Sequence, residues 1–198
     1  MLVFWNERLV LLAVPKTGTT ALEAALAPRA AVVVRDPPSL KHATPQRVRR
    51  FVLPLLEAGG GKGWETAAVI REPVSWLSSW YRYRLRDEIA GRPNSTRGRG
   101  FDEFVAEWLE DRPAPWAAVG AQAGYAVAPD GAREATHLFR HEEPERLQAF
   151  LEERLRMTLD FPRVNVSPTV ETPLSPALLD RLRAERAQEF LAWEMAGG

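Results

Sequence analysis

Short unbroken apolar runs alternate along this chain with stretches of helical period, the pattern of a layered α/β domain. Leu9-Val10-Leu11-Leu12-Ala13-Val14 has no polar break, which suits a strand buried on both faces. Pro15 stops it, Gly18 permits a positive φ, and Thr19 and Thr20 are placed to cap a helix beginning at Ala21. That helix sets Leu22 and Leu26 on one face and ends before Pro28. Ala31–Val34 reads as a second buried strand closing a β-α-β unit. Thr44 and Pro45 open a helix toward Ala58, Thr66–Ile70 is a third strand, and Pro73 starts a helix running to about Asp87. Trp76, Trp80 and Tyr83 recur on it at i, i+4 and i+7, an aromatic stripe expected to face the core.

Arg86–Gly100 reads as a mobile polar loop, broken by Gly91, Pro93, Gly98 and Gly100. Phe101–Val105 opens a further helix. Gly124–Val127 and Ala135–Phe139 flank Asp130-Gly131, a hairpin-type turn signal. Pro144 starts an amphipathic helix with Leu147, Leu151 and Leu155, and a final helix spans about Pro176 to Trp193. The expected architecture is one domain over residues 1–198: three layers, with a central, mainly parallel sheet flanked by helices.

Composition narrows the class. Hydrophobic residues are 45% and charged residues 26% of the 198, ordinary for a soluble globular domain. Net charge is zero, so the chain has no global attraction to nucleic acid or membranes, and an anion site must be local. Cysteine is absent, which excludes disulfides and thiolate chemistry and fits a reducing cytoplasm. No apolar run approaches the roughly 20 residues of a membrane span, and the N-terminus lacks the basic start of a signal peptide.

The candidate chemistry begins after the first strand. Strand, tight turn and helix N-terminus bring successive backbone N–H groups onto an anion. Lys16 adds a charge, and Thr17, Thr19 and Thr20 add hydroxyls. Lysine occurs only at 16, 41 and 62 in a chain crowded with arginine, so Lys16 is not background usage. The order G-x-x-x-x-G-K-[ST] is missing, which disfavours an ordinary nucleoside-triphosphatase loop. The reading is a cradle for phosphate or sulfate.

Pro15-Lys16-Thr17-Gly18-Thr19-Thr20, then Arg71-Glu72-Pro73 with Ser79, together resemble the sulfotransferase superfamily that uses 3′-phosphoadenosine 5′-phosphosulfate. Lys41-His42-Ala43-Thr44, Phe101–Val105 and Val164-Asn165-Val166-Ser167 extend the resemblance, in order, over most of the chain, toward bacterial members related to carbohydrate sulfotransferases. The resemblance implies a fold similar to P-loop nucleoside-triphosphate hydrolases and no metal. It implies that Lys16, Thr17, Gly18, Thr19 and Thr20 hold the 5′-phosphosulfate, and that Arg71 and Ser79 grip the 3′-phosphate. Asn165 and Ser167 would pack near the nucleotide, or form a structural turn.

His42, one of three histidines, is the candidate general base, with a helix-cap or solvated role as its alternative and Glu65, Asp36 and Glu72 as backups. His137 and His141 share a strand face by alternation but lack a third ligand for a metal site. The expected reaction moves a sulfuryl group to a hydroxylated acceptor. Arg82, Arg84, Arg86, Arg92, Arg97 and Arg99 would suit an acidic glycan, or would form a solvated loop. A metal-dependent kinase on the same fold and a non-catalytic nucleotide-binding relative are the rival readings.

Overall fold

The computed structural model describes residues 1–160 and 170–198. In chain order the elements are β1 (Leu2–Phe4), β2 (Leu9–Leu11), α1 (Thr19–Leu26), β3 (Val32–Val33), α2 (Pro38–Lys41), α3 (Pro45–Arg47) and α4 (Leu53–Ala58). There follow β4 (Glu65–Ile70), α5 (Pro73–Arg84), α6 (Phe101–Leu109), β5 (His137–Arg140), α7 (Pro144–Leu155), α8 (Pro176–Glu185) and α9 (Ala187–Met195).

The strands form one sheet in the order β3-β1-β2-β4-β5. β2 pairs with β4, and β4 with β5, in parallel, whereas β1 is antiparallel to both β2 and β3. The sheet is therefore mixed, which corrects the mainly parallel expectation. The cause is β1, an N-terminal strand outside the expected set of elements. It inserts between β2 and β3, with Leu2 opposite Leu11 and Val33 on its two sides. β3 thus runs in the same direction as β2 without touching it. As an edge strand it leaves Val32 42% exposed, so it is not the buried strand expected at Ala31–Val34.

Alternation sorts the strand side chains onto two faces. Val3, Val10, Leu12, Ala68, Ile70 and Leu138 pack with Val48, Leu56, Tyr125 and Ala192 on one side. Leu2, Phe4, Leu9, Leu11, Ala67 and Val69 pack with Leu22 and Leu26 of α1 and Leu147, Leu151 and Leu155 of α7 on the other. Helices on both faces give the expected three layers. Every residue from Leu9 to Val14 is at most 5% exposed, as an unbroken apolar run requires. A third cluster joins Trp76, Leu77 and Tyr81 of α5 to Phe104 and Trp108 of α6 and Leu182 of α8.

Several local expectations change. Helix α1 starts at Thr19 with Gly18 as its cap, at φ 83, so neither Thr19 nor Thr20 caps it. Pro45 does open α3, but Thr44 makes no side-chain cap bond, and a π turn at Val48–Val52 links α3 to α4. The hairpin around Asp130-Gly131 shrinks to a single antiparallel bridge, Val127 with Arg133, and β5 pairs with β4 instead. Burial decides it: Tyr125, Ala126 and Val127 lie beneath the sheet, where Tyr125 donates its hydroxyl to the His42 carbonyl at 2.6 Å. The final helix breaks at Arg186 into α8 and α9.

The polar segment 86–100 is tied to α5 rather than loose. Thr96 is fully buried and donates Oγ1 to the Tyr81 carbonyl at 2.9 Å, while the Tyr81 hydroxyl donates to the Arg99 carbonyl at 2.7 Å.

Candidate functional site

The carboxyl ends of β2, β4 and β5 point the same way, and their following loops meet at one edge of the sheet, where α/β proteins bind ligands. The central loop is Ala13–Gly18. Four successive carbonyls of this stretch are held by side chains of the protein. Ala13 accepts from His42 Nδ1 at 2.5 Å, and Val14 from the Thr17 hydroxyl at 2.8 Å. Pro15 accepts from Trp76 Nε1 at 2.9 Å, and Lys16 from the Arg71 guanidinium at 3.2 Å. With its acceptors turned inward and engaged, the loop is left presenting N–H groups. The amides of Thr19 and Thr20, at the N-terminus of α1, find no acceptor among the described residues.

Backbone geometry supports the same end. Lys16 sits at φ 67, a left-handed conformation uncommon for a residue with a side chain, and Gly18 takes φ 83, which glycine adopts without strain. The Arg71 and Trp76 bonds hold Lys16 in this costly conformation.

The Lys16 ammonium lies over the Tyr83 ring at 4.2 Å and the Trp80 ring at 5.5 Å. Burial, followed by the nearby charges of Arg86, Arg71 and Arg82, holds its pKa down to about 8. Among the described residues, none of Lys16, Arg71, Arg82 and Arg86 forms a salt bridge. The carboxylates whose charges act on Arg71, Glu142 and Glu72, are engaged by N–H donors. Glu72 caps α5 by accepting from the Ser75 amide at 2.7 Å. Glu142 accepts from the Glu72 amide and from Trp193 Nε1, each at 3.0 Å. Four cationic side chains thus lie near the loop without an ion pair among the described residues, although the charges of Glu142 and Glu72 act on Arg71.

Arg71 is positioned by a residue the sequence did not reveal. The fully buried Gln122 accepts from the Arg71 amide at 3.0 Å and donates to the Arg71 carbonyl at 2.5 Å. Glu189 of α9 in turn accepts from the amides of Gln122 and Ala123, at 3.2 and 3.0 Å. Arg71 Nε donates to Ser75 at 2.9 Å, so Ser75 is its serine partner along α5. Ser79, one turn further on the same face, is buried, and its hydroxyl has no partner among the described residues.

His42 reaches the site through Ala13. Its Nδ1 faces a carbonyl, which fixes the proton there and leaves Nε2 with a free lone pair. Burial lowers its pKa; the Ala13 bond opposes that in part, and Lys41 adds to it. Lys41 itself pairs with Glu23 at 3.4 Å. A shallow crevice with room for about one water molecule lies beside Ala13, lined also by Met1, Leu2, Leu11, Leu12, Thr19, Leu22 and Glu23.

His141 belongs to the site as well. Its ring lies against Thr17 and Gly18, and burial followed by the Arg71 charge lowers its pKa. His137 goes elsewhere, to Glu65 at 3.1 Å and onto Phe150, so the two histidines are not a pair. Glu65, at the opposite end of β4 from Arg71, is bound by His137 and Arg154, which removes it from the candidate bases. Asn165 and Ser167 lie outside the described residues.

The six arginines near the polar segment divide by role. The buried Arg84 donates to the Pro115 and Ala118 carbonyls, Arg97 pairs with Asp87, Arg99 pairs with Glu103, and Arg92 is exposed. Of these six, Arg82 and Arg86 are near enough for their charges to act on Lys16. Trp76 joins the core as expected, at 1% exposure, and Trp80 packs against the same cluster, while Trp80 and Tyr83 also carry Lys16 over their rings.

No protein-family model, curated protein or solved structure matches this chain, so the reading of the site rests on its own geometry.

Proposed function

We propose that the Pro15–Thr20 loop binds the 5′-phosphosulfate of 3′-phosphoadenosine 5′-phosphosulfate, in a P-loop-like arrangement, and that the protein transfers the sulfuryl group to a hydroxyl of a carbohydrate. The observation that carries this reading is the loop whose carbonyls are engaged and whose amides and lysine are not. Such a preorganised set of donors neutralises charge without rearranging as the charge develops. Lys16 and the Thr19 and Thr20 amides hold the transferred group and the bridging oxygen. Arg71 has three N–H donors left after its bonds to Ser75 and Lys16, and these suit the 3′-phosphate together with the Ser79 hydroxyl.

In the proposed step the acceptor oxygen attacks sulfur in line while the sulfur–oxygen bond to the nucleotide phosphate breaks. The acceptor proton passes to His42 Nε2, and 3′-phosphoadenosine 5′-phosphate leaves with its new charge opposite Lys16. The step draws on no metal ion.

The test is release of 3′-phosphoadenosine 5′-phosphate from the donor in the presence of a panel of hydroxylated acceptors. His42→Asn keeps an N–H where Nδ1 meets Ala13 and removes Nε2. Turnover should fall about 10²–10⁴-fold while nucleotide affinity holds. The wild-type acid limb should lie below the ordinary histidine pKa, because burial lowers it. A His42→Asn protein with undiminished turnover removes His42 as the base.

A further inference from the structure

We infer that Arg82 and Arg86 form a second anion subsite, which holds a fixed negative charge on the acceptor, a carboxylate or sulfate group beside the hydroxyl that is modified. This rests on the donor reading of the Lys16 loop given above. Ser75, Ser79 and Arg82 follow one another at i, i+4 and i+7 on one face of α5, and Arg86 continues the line just past the helix end. From Ser75, where Arg71 is anchored, to Arg82 is about 10 Å along the helix at its rise per residue. Arg71 is anchored by Ser75 and the Lys16 carbonyl, whereas the two arginines further along the helix have no carboxylate partner among the described residues.

Three observations set this pair apart from ordinary surface arginines. Arg84, Arg97 and Arg99 in the same region are satisfied by carbonyls or carboxylates, whereas Arg82 and Arg86 have no carboxylate partner among the described residues. Arg82 Nε is buried without a hydrogen-bond acceptor among the described residues, a cost that a bound oxyanion removes. Arg86 is seated over the Tyr83 ring at 5.1 Å, on the ring that also carries Lys16 at 4.2 Å. Tyr83 thereby ties this subsite to the lysine at the reacting group. Trp80, at 5.9 Å from Tyr83 and nearly perpendicular to it, has an Nε1 that finds no partner among the described residues.

The experiment has two arms. In the first, protein saturated with 3′-phosphoadenosine 5′-phosphate is titrated with a monosulfated disaccharide and with its unsulfated counterpart. Wild type should bind the sulfated sugar roughly tenfold or more tightly, the scale of one charge-assisted contact, and Arg82→Gln/Arg86→Gln should lose that preference. Wild type without the preference, or a double variant that keeps it, overturns the proposal. In the second arm, inorganic sulfate is added without nucleotide, and the Arg82 Nε–H resonance is followed. A saturable shift that Arg86→Gln weakens supports the subsite, and an unmoved resonance overturns it. If the nucleotide fails to bind while the sulfate shift persists, the anion subsite stands and the donor reading falls.

Discussion

Lys16 is placed where a protonated amine is disfavoured, and the features that disfavour it also fit it to an anion. Burial and the neighbouring guanidiniums of Arg86, Arg71 and Arg82 bring its pKa from 10.5 to about 8. Between those values the unfolded chain binds a proton that the folded protein does not. The folded state therefore gains stability as pH rises from about 8 to 10.5, and loses that gain as pH falls back through about 8. Lys16→Met removes the like-charge repulsion, so the variant should be more stable near neutrality, by up to about 1 kcal/mol, and should lose the alkaline rise. Denaturant melts across pH 7–10.5 measure both effects. Affinity for an anion in wild type should fall as pH climbs through about 8, because the ammonium is then lost. A variant less stable than wild type at neutral pH contradicts the placement of Lys16 among unpaired cations.

At the scale of elements, α5 acts as the brace of the loop. Trp76 is fixed in the third core cluster by Trp108 at 6.2 Å, and its indole N–H fixes Pro15. Trp76→Phe keeps a ring in the core and deletes that bond. Stability should drop by about 1–3 kcal/mol, since the indole shape and a buried carbonyl partner are lost together. Affinity for 3′-phosphoadenosine 5′-phosphate should also weaken, as a loop free to turn a carbonyl outward presents an acceptor to an anion. Paired denaturation and calorimetric titrations would show stability and affinity falling together, and unchanged affinity would remove α5 from the loop's support. This brace was only half legible in the sequence. The helical period placed Trp76 in the core, but its bond to a residue 61 positions earlier left no local trace. Gln122, bound to Arg71 across 51 positions, left none either. The buried run Leu9–Val14 and the turn after it were legible because six apolar residues followed by Pro15 and Gly18 act through neighbours alone. Strand β1 was missed because its turn, Trp5–Arg8, has no Gly or Pro, and Arg8 itself takes the φ of 52.

Across the whole molecule, the mixed sheet brings the β2, β4 and β5 loops to one edge, and helices on both faces hold that edge in place. A chain of contacts runs from α9 through Glu189 and Gln122 to Arg71, and from Arg71 to the Lys16 carbonyl. Distant parts of the fold thus meet in the shape of one short loop. The central claim is that this loop and Arg71 together take a nucleotide bearing both a 5′-phosphate and a 3′-phosphate. Calorimetric titration of the wild-type protein with 3′-phosphoadenosine 5′-phosphate, adenosine 5′-phosphate and ATP with Mg²⁺ tests it most directly. The account predicts one site for the doubly phosphorylated nucleotide, roughly tenfold or more tighter than for adenosine 5′-phosphate, and tighter than for ATP with Mg²⁺. No binding of 3′-phosphoadenosine 5′-phosphate, or tighter binding of ATP with Mg²⁺, would contradict it.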